Sequence, residues 1–556
     1  MVYLPSIKGE FLFDDVITLT QNPLIHHPSG LRYIWFSTEP LDYFPLTLSS
    51  FWIEWRLWGG NPAGFHWVNI LLHAASALML WRVLLRLGIP GAWMAAAVFA
   101  VHPLNTSSVA WITERKNTMS RFFFHLSVLF YLKAEKPSAP GKDTSTRRYW
   151  LSVGAFLLAL LSKTSVVMLP VVLLGLAWWR NGRVTFRDIQ RTIPFFALSL
   201  VLGLVTVWFQ FHRASGGESS AVLSLGERLA GAGMVPWFYL FKTLLPTRLS
   251  MFYPEWKIDP ASLAAYLPGI VLLGLCVVFW RYRAAWGRHL LLATGYFVLM
   301  LFPVLGFFDM FFFMYSRVAD HWAYLAVIGL IIPLFAGPVH GLNRMEARYK
   351  AEAPARSSVP ARTRFMGGAQ LASAAVLGVL AMLTWKQSGA FANEETLWRD
   401  TLAKNPRAWA AHINLGIALE NRGQLEQAAQ QYLAAVRLKP DFYKAHYNLG
   451  IVRTQQGMID EAMKHYREAF GIRPKDIESR NNYAILLANQ GRTEEAIAEY
   501  RAALEQAPNF YTCHYNLSLA LANAGRKDEA IAHLKEALRI RPDYVEARDF
   551  LEQLTQ

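Results

Sequence analysis

The chain has 556 residues, 53% of them hydrophobic and only 17% charged, with 20 Trp and 35 Phe. Soluble domains carry about a quarter charged residues and one soluble core rarely exceeds ~250–300 residues, so a single ordinary globular domain is excluded and a membrane protein is expected. Two cysteines, Cys276 and Cys513, exclude a disulfide scaffold and a cysteine-built metal site, while the net charge of +15 must be read from where it lies.

Residues 1–386 hold 34 basic and 18 acidic residues, about 13% charged and net +16. Residues 387–556 hold 21 basic and 22 acidic residues, about 25% charged and net −1. The first part reads as membrane-embedded and the second as soluble. The fold class is therefore all-α, a polytopic helix bundle followed by a helical repeat domain, divided as 1–386, a 387–407 linker with a half-repeat, and 408–556.

Met1 is followed at once by Val2-Tyr3-Leu4-Pro5, which reads like the tail of a membrane helix. A first helix is expected to be missing from the chain. Phe13-Asp14-Asp15 comes next. Adjacent carboxylates just beyond a helix end supply a general base or a metal ligand, and the plainer reading is an Asx turn or a helix cap.

Apolar runs follow near 64–86, 91–110, 118–133, 149–163, 165–179, 193–212, 229–246, 263–281, 289–307, 322–340 and 366–386. The loops at 134–148 (Lys136, Lys142, Arg147, Arg148), 180–191, 281–288 and 341–365 (Arg344, Arg348, Lys350, Arg356, Arg362, Arg364) are basic, which assigns them to the cytoplasm. Eleven crossings break that rule. Ten satisfy it if 229–246, with Gly231, Gly233, Pro236 and Pro246, is a broken re-entrant helix with both ends outside. Residues 1–63 and the repeats are then extracytoplasmic. The positive charge is mostly topology, so nucleic acid is not an expected partner.

Ionisable residues beside the predicted spans are costly unless solvated or matched to a polar ligand. Candidates are Glu114, Arg115 and Lys116, then Arg317, Asp320, His321 and Tyr324, with Lys163 and Lys242 in apolar surroundings. Helical spacing predicts that Asp320 shares a face with Tyr324, and Arg317 with His321. Buried structural ion pairs are the plainer alternative. The predicted spans otherwise carry almost no charge.

In the last third, Gly423, Gly457, Gly491 and Gly525 recur every 34 residues, as do Pro440, Pro474, Pro508 and Pro542. That period marks tetratricopeptide helix pairs, which bury their apolar faces only by stacking. Four repeats are predicted near 408–441, 442–475, 476–509 and 510–543, with 544–554 as a cap and 394–404 as a half-repeat. Asn414, Asn448, Asn482 and Asn516, again 34 apart, are the candidate acceptor-binding residues of the concave face, or else simply bond neighbouring backbone.

Phe13-Asp14-Asp15, Tyr43-Phe44-Pro45-Leu46-Thr47, Phe65-His66-Trp67-Val68-Asn69, His102-Pro103, Glu114-Arg115-Lys116-Asn117, Leu161-Ser162-Lys163, Phe252-Tyr253-Pro254 and Ala319-Asp320-His321 occur in that order, with the repeats after them. As a set they resemble the transmembrane-and-tetratricopeptide O-mannosyltransferase family, in its bacterial branch. Two positions depart from the family pattern: Ser107 stands where relatives often have Glu, and His321 where many have Arg.

The resemblance implies a GT-C glycosyltransferase in a bacterial plasma membrane, an extracytoplasmic site and a polyprenyl-phosphate sugar donor. It implies that Asp14 or Asp15 is the base that takes the proton of an acceptor hydroxyl, that of Ser or Thr in exported protein, with inversion at the sugar. The leaving phosphate would meet Arg115, Lys116 or Arg317, with Lys163 and Lys242 behind them. No metal is required, although Asp14, Asp15 and Glu114 would hold Mg or Mn if Glu114 approaches the pair. The competing readings are a membrane-anchored scaffold without catalysis and a lipid-linked sugar transporter.

Overall fold

The computed structural model describes residues 2–135, 144–214, 223–307, 310–338, 341, 345 and 361–556. Lys136, Lys142, Arg344, Arg348, Lys350 and Arg356 lie outside the described residues, as do the side chains of Arg362 and Arg364. All regular structure among the described residues is helical. The chain forms two compact units, Met1–Asn405 and Pro406–Gln556.

Among the described residues, six helical stretches in the first unit are long and apolar enough to cross a membrane: Pro62–Arg86, Thr164–Asn181, Phe186–Arg213, Leu263–Arg281, Gly287–Val304 and Gln370–Gly389. Two predicted runs are interrupted. The run at 91–110 stops as a helix at Val101, because Pro103 follows and the His102 imidazole caps the next turn by accepting from the Leu104 N–H. The run at 322–340 is split into Ala323–Ala326, Ile328–Ile331 and a wide turn over Ile332–Ala336.

The segment at 229–246 departs from expectation in the opposite sense. It belongs to one continuous helix, Leu225–Leu244, with Pro236 inside it. Its start is fixed by a capping box, in which the Ser224 hydroxyl accepts from the Glu227 N–H and the Glu227 carboxylate accepts from Ser224. Helices Arg115–Ala134 and Thr144–Ser162 are joined by reciprocal bonds. The Ser127 hydroxyl donates to the Ser152 carbonyl (2.8 Å), and the Ser152 hydroxyl to the Ser127 carbonyl (2.7 Å). Small hydroxyl residues give that kind of close contact between membrane helices.

The expectation of nearly uncharged spans fails at Arg121, inside the run 118–133. Its guanidinium is buried, 3.3 Å over the Tyr324 ring and 4.7 Å over Phe99. The stacked rings accept the cation through their negative faces.

In the second unit the pairs are Trp409–Glu420 with Leu425–Leu438, Tyr443–Gln455 with Ile459–Ile472, Ile477–Asn489 with Thr493–Gln506, and Tyr511–Asn523 with Lys527–Ile540, followed by Val545–Thr555. Each turn between paired helices uses a left-handed glycine: Gly423, Gly457, Gly491 or Gly525, with φ of 73, 76, 77 and 75°. A Cβ on Gly416 or Gly450 would lie 2.4 or 2.6 Å from the Tyr432 or Tyr466 ring, so these glycines admit the tyrosine of the second helix. Helix Glu394–Lys404, expected as a half-repeat, falls within the first unit.

Candidate active site

The Asp14-Asp15 pair sits on a tight turn. Phe13 has φ of 45°, the left-handed region that non-glycine residues seldom enter. Its N–H donates to the Glu394 carboxylate (3.0 Å), and its ring meets Trp398 edge-on with centroids 5.4 Å apart. The Glu10 N–H donates to the Ala392 carbonyl (2.9 Å). The turn is thus clamped by the segment at 392–398.

The two aspartates have different surroundings. Asp15 is fully buried, and its two oxygens accept from the Leu12 N–H (2.9 Å) and the Thr113 N–H (2.8 Å). It fastens the first loop to the loop before Glu114. Burial pushes its carboxyl up to about 7, with those donors pulling down. Asp14 is partly exposed, and no hydrogen bond to it is found among the described residues. Burial pushes its carboxyl up to about 6; Lys116 opposes this, while Glu114 and Asp42 add to it.

A polar cluster surrounds Asp14. Lys116 Nζ is 3.2 Å and Lys163 Nζ 3.8 Å from the Glu114 carboxylate. Lys163 also donates to Asn117 Oδ1 (2.9 Å). The Asn117 amide donates to Glu114, to the His321 carbonyl (3.1 Å) and to Ser108 Oγ (3.2 Å). Burial would raise the Glu114 carboxyl, but Lys116, Lys163 and His321 outweigh it and hold the group at about 2. Glu114, Asp14 and Asp42 together raise the Lys116 ammonium above its ordinary value, against its burial. Asp42 accepts from the Gln210 amide, and burial raises it. Three carboxyl groups therefore converge on Lys116, whose side chain is 23% exposed, with the Lys163 ammonium also acting on Glu114 and Asp42.

Other sequence candidates lie elsewhere. Arg115 is fully buried and turned inward. It pairs with Glu54 through both terminal nitrogens and donates to Asn69 and to the Phe65 carbonyl (2.8 Å). Arg317 lies against Gly231 and Gly306, over the Phe313 ring, and its charged neighbours are Arg228 and Glu227. Asp320 accepts from the Tyr253 hydroxyl (2.6 Å); burial pushes its carboxyl up to about 7, with Tyr253, Lys242 and Lys404 pulling down. Lys242 donates to the Thr247 carbonyl (2.8 Å) and lies over the Tyr253 ring. The Tyr324 hydroxyl is 2.6 Å from His73 Nδ1.

The expected helical pairing of Arg317 with His321 and of Asp320 with Tyr324 does not form. Ala319 is extended (φ −146°, ψ 142°) and breaks the register between Arg317 and His321, while Asp320 and Tyr324, in the successive turns Asp320–Trp322 and Ala323–Ala326, bond to different partners, Tyr253 and His73. Only His321 reaches the Glu114 cluster, with its ring against Trp111.

Asp42, Asn117 and Glu54 were not among the sequence candidates. Asp42 stands one residue before Tyr43-Phe44-Pro45, and Asn117 closes the Glu114-Arg115-Lys116-Asn117 run, so position within those motifs was the available signal. In the repeats, Asn414 donates to the Ala410 carbonyl (2.9 Å), Asn482 bonds to Tyr466, and Asn516 donates to Asn481 (3.1 Å). Asn414 thus bonds its own helix, while Asn482 and Asn516 each bond the preceding repeat; Asn448 is partly exposed.

An apolar groove of about 440 Å³ opens between Leu225–Leu244 and Leu267–Arg281, walled by Met234, Trp237, Phe238, Trp256, Leu267 and Val271. Among the described residues no three His, Cys, Asp or Glu side chains are gathered in a metal-holding arrangement.

Family models described as "TPR repeat" and "Tetratricopeptide repeat" match residues 419–457, 453–510 and 483–545. The C-terminal unit is a tetratricopeptide-repeat array. Over most of its length the chain is similar to protein O-mannosyl-transferase TMTC4 of Homo sapiens, at 26% identity over 77% of this chain and 63% of that protein. It is also similar to protein O-mannosyl-transferase F38B6.6 of Caenorhabditis elegans, at 22% identity over 79% of this chain and 61% of that protein. The chain thus spans less than two thirds of the length of these relatives. Among solved structures, "YrrB: a TPR protein with an unusual peptide-binding site" aligns at 20% identity and a TM-score of 0.26, covering 38% of this chain and 97% of that one.

Proposed function

We propose that this chain is a membrane glycosyltransferase of the kind its relatives' names describe. It moves a sugar, mannose in those names, from a polyprenyl-phosphate carrier to a Ser or Thr hydroxyl of an exported polypeptide. The reading places it in a bacterial plasma membrane with the site and the repeats outside. The observation that carries it is the asymmetry of the two aspartates: Asp15 is used up by backbone, while Asp14 stands beside Lys116 without a hydrogen-bond partner among the described residues.

Asp14 accepts the hydroxyl proton as the acceptor oxygen attacks the anomeric carbon. The bond from that carbon to the phosphate oxygen breaks, and the electron pair leaves with the polyprenyl phosphate. One displacement inverts the anomeric centre. Lys116, supported by Lys163, meets the developing phosphate charge in a site of low water content. Arg115 has no part in this scheme, because withdrawing it would strand Glu54. The apolar groove along Leu225–Leu244 is the berth for the isoprenoid chain. The scheme runs without a metal.

The test is transfer of radiolabelled mannose from polyprenyl phosphate to a Ser/Thr peptide by the full chain in lipid nanodiscs. Asp14→Asn is expected to lose about 10²–10⁴-fold in rate, the usual worth of a positioned base, with the unfolding midpoint unchanged. Undiminished transfer by Asp14→Asn would overturn the assignment.

A further inference from the structure

One position recurs in each repeat and is filled by different chemistry. A residue on the first helix faces a residue 19 positions later on the second. In order the pairs are His412–Gln431, His446–His465, Arg480–Glu499 and His514–His533. The first-helix histidines are held alike. Nε2 of His412, His446 and His514 lies 3.1, 3.1 and 2.9 Å from the carbonyls of Pro406, Pro440 and Pro508. A carbonyl only accepts, so Nε2 carries the hydrogen and Nδ1 of the neutral ring presents a lone pair.

In the second and fourth repeats that lone pair faces another imidazole. Nδ1 to Nδ1 is 3.2 Å for His446–His465 and 2.9 Å for His514–His533. Two imidazole nitrogens bonded at ~2.0–2.1 Å to one tetrahedral or square-planar ion stand roughly 2.9–3.4 Å apart. One partner in each pair is buried, His446 or His514, and the other is partly exposed, so an ion can reach the pair from solvent.

A second observation points the same way. Three residues beyond the second histidine stands a carboxylate, Glu468 or Glu536, on the same helix face. The corresponding positions in the first and third repeats are Ala434 and Ala502. The glutamate occurs only in the two repeats that carry a histidine pair. Glu536 is within electrostatic reach of both His514 and His533, and Glu468 of His446. Glu536 is turned to Arg539 in this structure, but both side chains are substantially exposed, so the carboxylate is free to swing.

We infer that the His446–His465 and His514–His533 pairs are each a two-histidine site for a borderline divalent transition ion, zinc above all, with Glu468 or Glu536, which is not gathered there in this structure, swinging in on binding and water or a docked polypeptide completing the coordination. Nearby cations, Lys464 and Arg453 at His465 and Arg501 at His533, oppose the ion and keep its binding reversible. The sites are independent of the proposed transferase chemistry.

Zinc binding to the full chain in nanodiscs, titrated against a chromophoric chelator, tests this. The expected result is about two zinc ions per chain, one lost in His465→Gln, one in His533→Gln and both in the double variant, with magnesium failing to compete. His465→Gln recreates the His–Gln pair of the first repeat, and an unchanged circular dichroism spectrum confirms the fold. Glu468→Ala and Glu536→Ala, which recreate the alanines of the other repeats, are expected to weaken binding by about tenfold without changing its stoichiometry. No zinc above an empty-nanodisc blank, or both ions retained by the double histidine variant, overturns the inference. Unweakened binding in the glutamate variants removes the carboxylate from the site.

Discussion

The two units carry their charges in opposite ways. In the first, Glu54, Asp15 and Glu114 are buried, and each is held by a dedicated partner: Arg115, two backbone N–H groups, and a pair of lysines with Asn117. In the second, ion pairs such as Arg492–Glu495 and Arg526–Glu529 lie on exposed helix faces, and the interior is built from small and aromatic side chains such as Ala428, Ala462, Tyr432 and Tyr466. A buried charge without its partner loses hydration and gains nothing, whereas an exposed one returns to water. The same residue types therefore have different weight in the two units.

The strongest way to break this comparison is Arg115→Ala. It strands Glu54 and is expected to cost about 3–5 kcal/mol, read as a lowered unfolding midpoint in nanodiscs, with Glu54→Gln partly restoring it in the double variant. Next comes Asp15→Ala, which orphans the Leu12 and Thr113 N–H groups at about 1–3 kcal/mol each. Asp14→Ala should leave the midpoint near that of the parent, which separates a supporting from a working carboxylate.

The site's pH response sharpens the comparison. A base must be ionised, and Asp14 is pushed up to about 6. The transfer rate is expected to rise through that pH and level off above it. Lys116 holds the Asp14 carboxyl down, so Lys116→Gln should move the rising limb to higher pH, whatever it does to the plateau. A limb that stays in place would separate the two groups.

The smallest effects belong to the repeats. Gly457→Ala forces a Cβ into a left-handed turn with open space around it, a cost of about 1–2 kcal/mol. Arg492→Ala removes an exposed pair and should leave the midpoint within experimental error.

The same contrast governs how much the amino-acid sequence reveals. The repeat helices were legible because a 34-residue period makes each repeat predict the next, down to the left-handed glycine. The first unit has no such redundancy. Arg121 is invisible to a hydropathy window because one cation among apolar neighbours barely moves the mean, and the rings that accept it come from Phe99 and Tyr324. Asp14 and Asp15 are identical by composition and adjacent in order. Their partners tell them apart, above all the Thr113 N–H that bonds Asp15 from 98 positions away. Helical spacing does not pair Arg317 with His321 because Ala319 between them is extended, and Asp320 and Tyr324 are drawn apart by partners remote in sequence, Tyr253 and His73. Hydropathy joins 91–110 into one run because it does not register the stop at His102-Pro103.

The clamp on Phe13 has a consequence for biosynthesis. The turn bearing Asp14 leaves the ribosome well before the glutamate that grips it, which lies 381 positions later. At ~5–20 residues per second that interval is roughly 20–80 s. Through it the loop waits beside the growing bundle without its final grip. The proposed base thus takes its place late in translation, after the helices beneath it have been made, and a nascent chain stalled before Glu394 holds the acid without the geometry to use it.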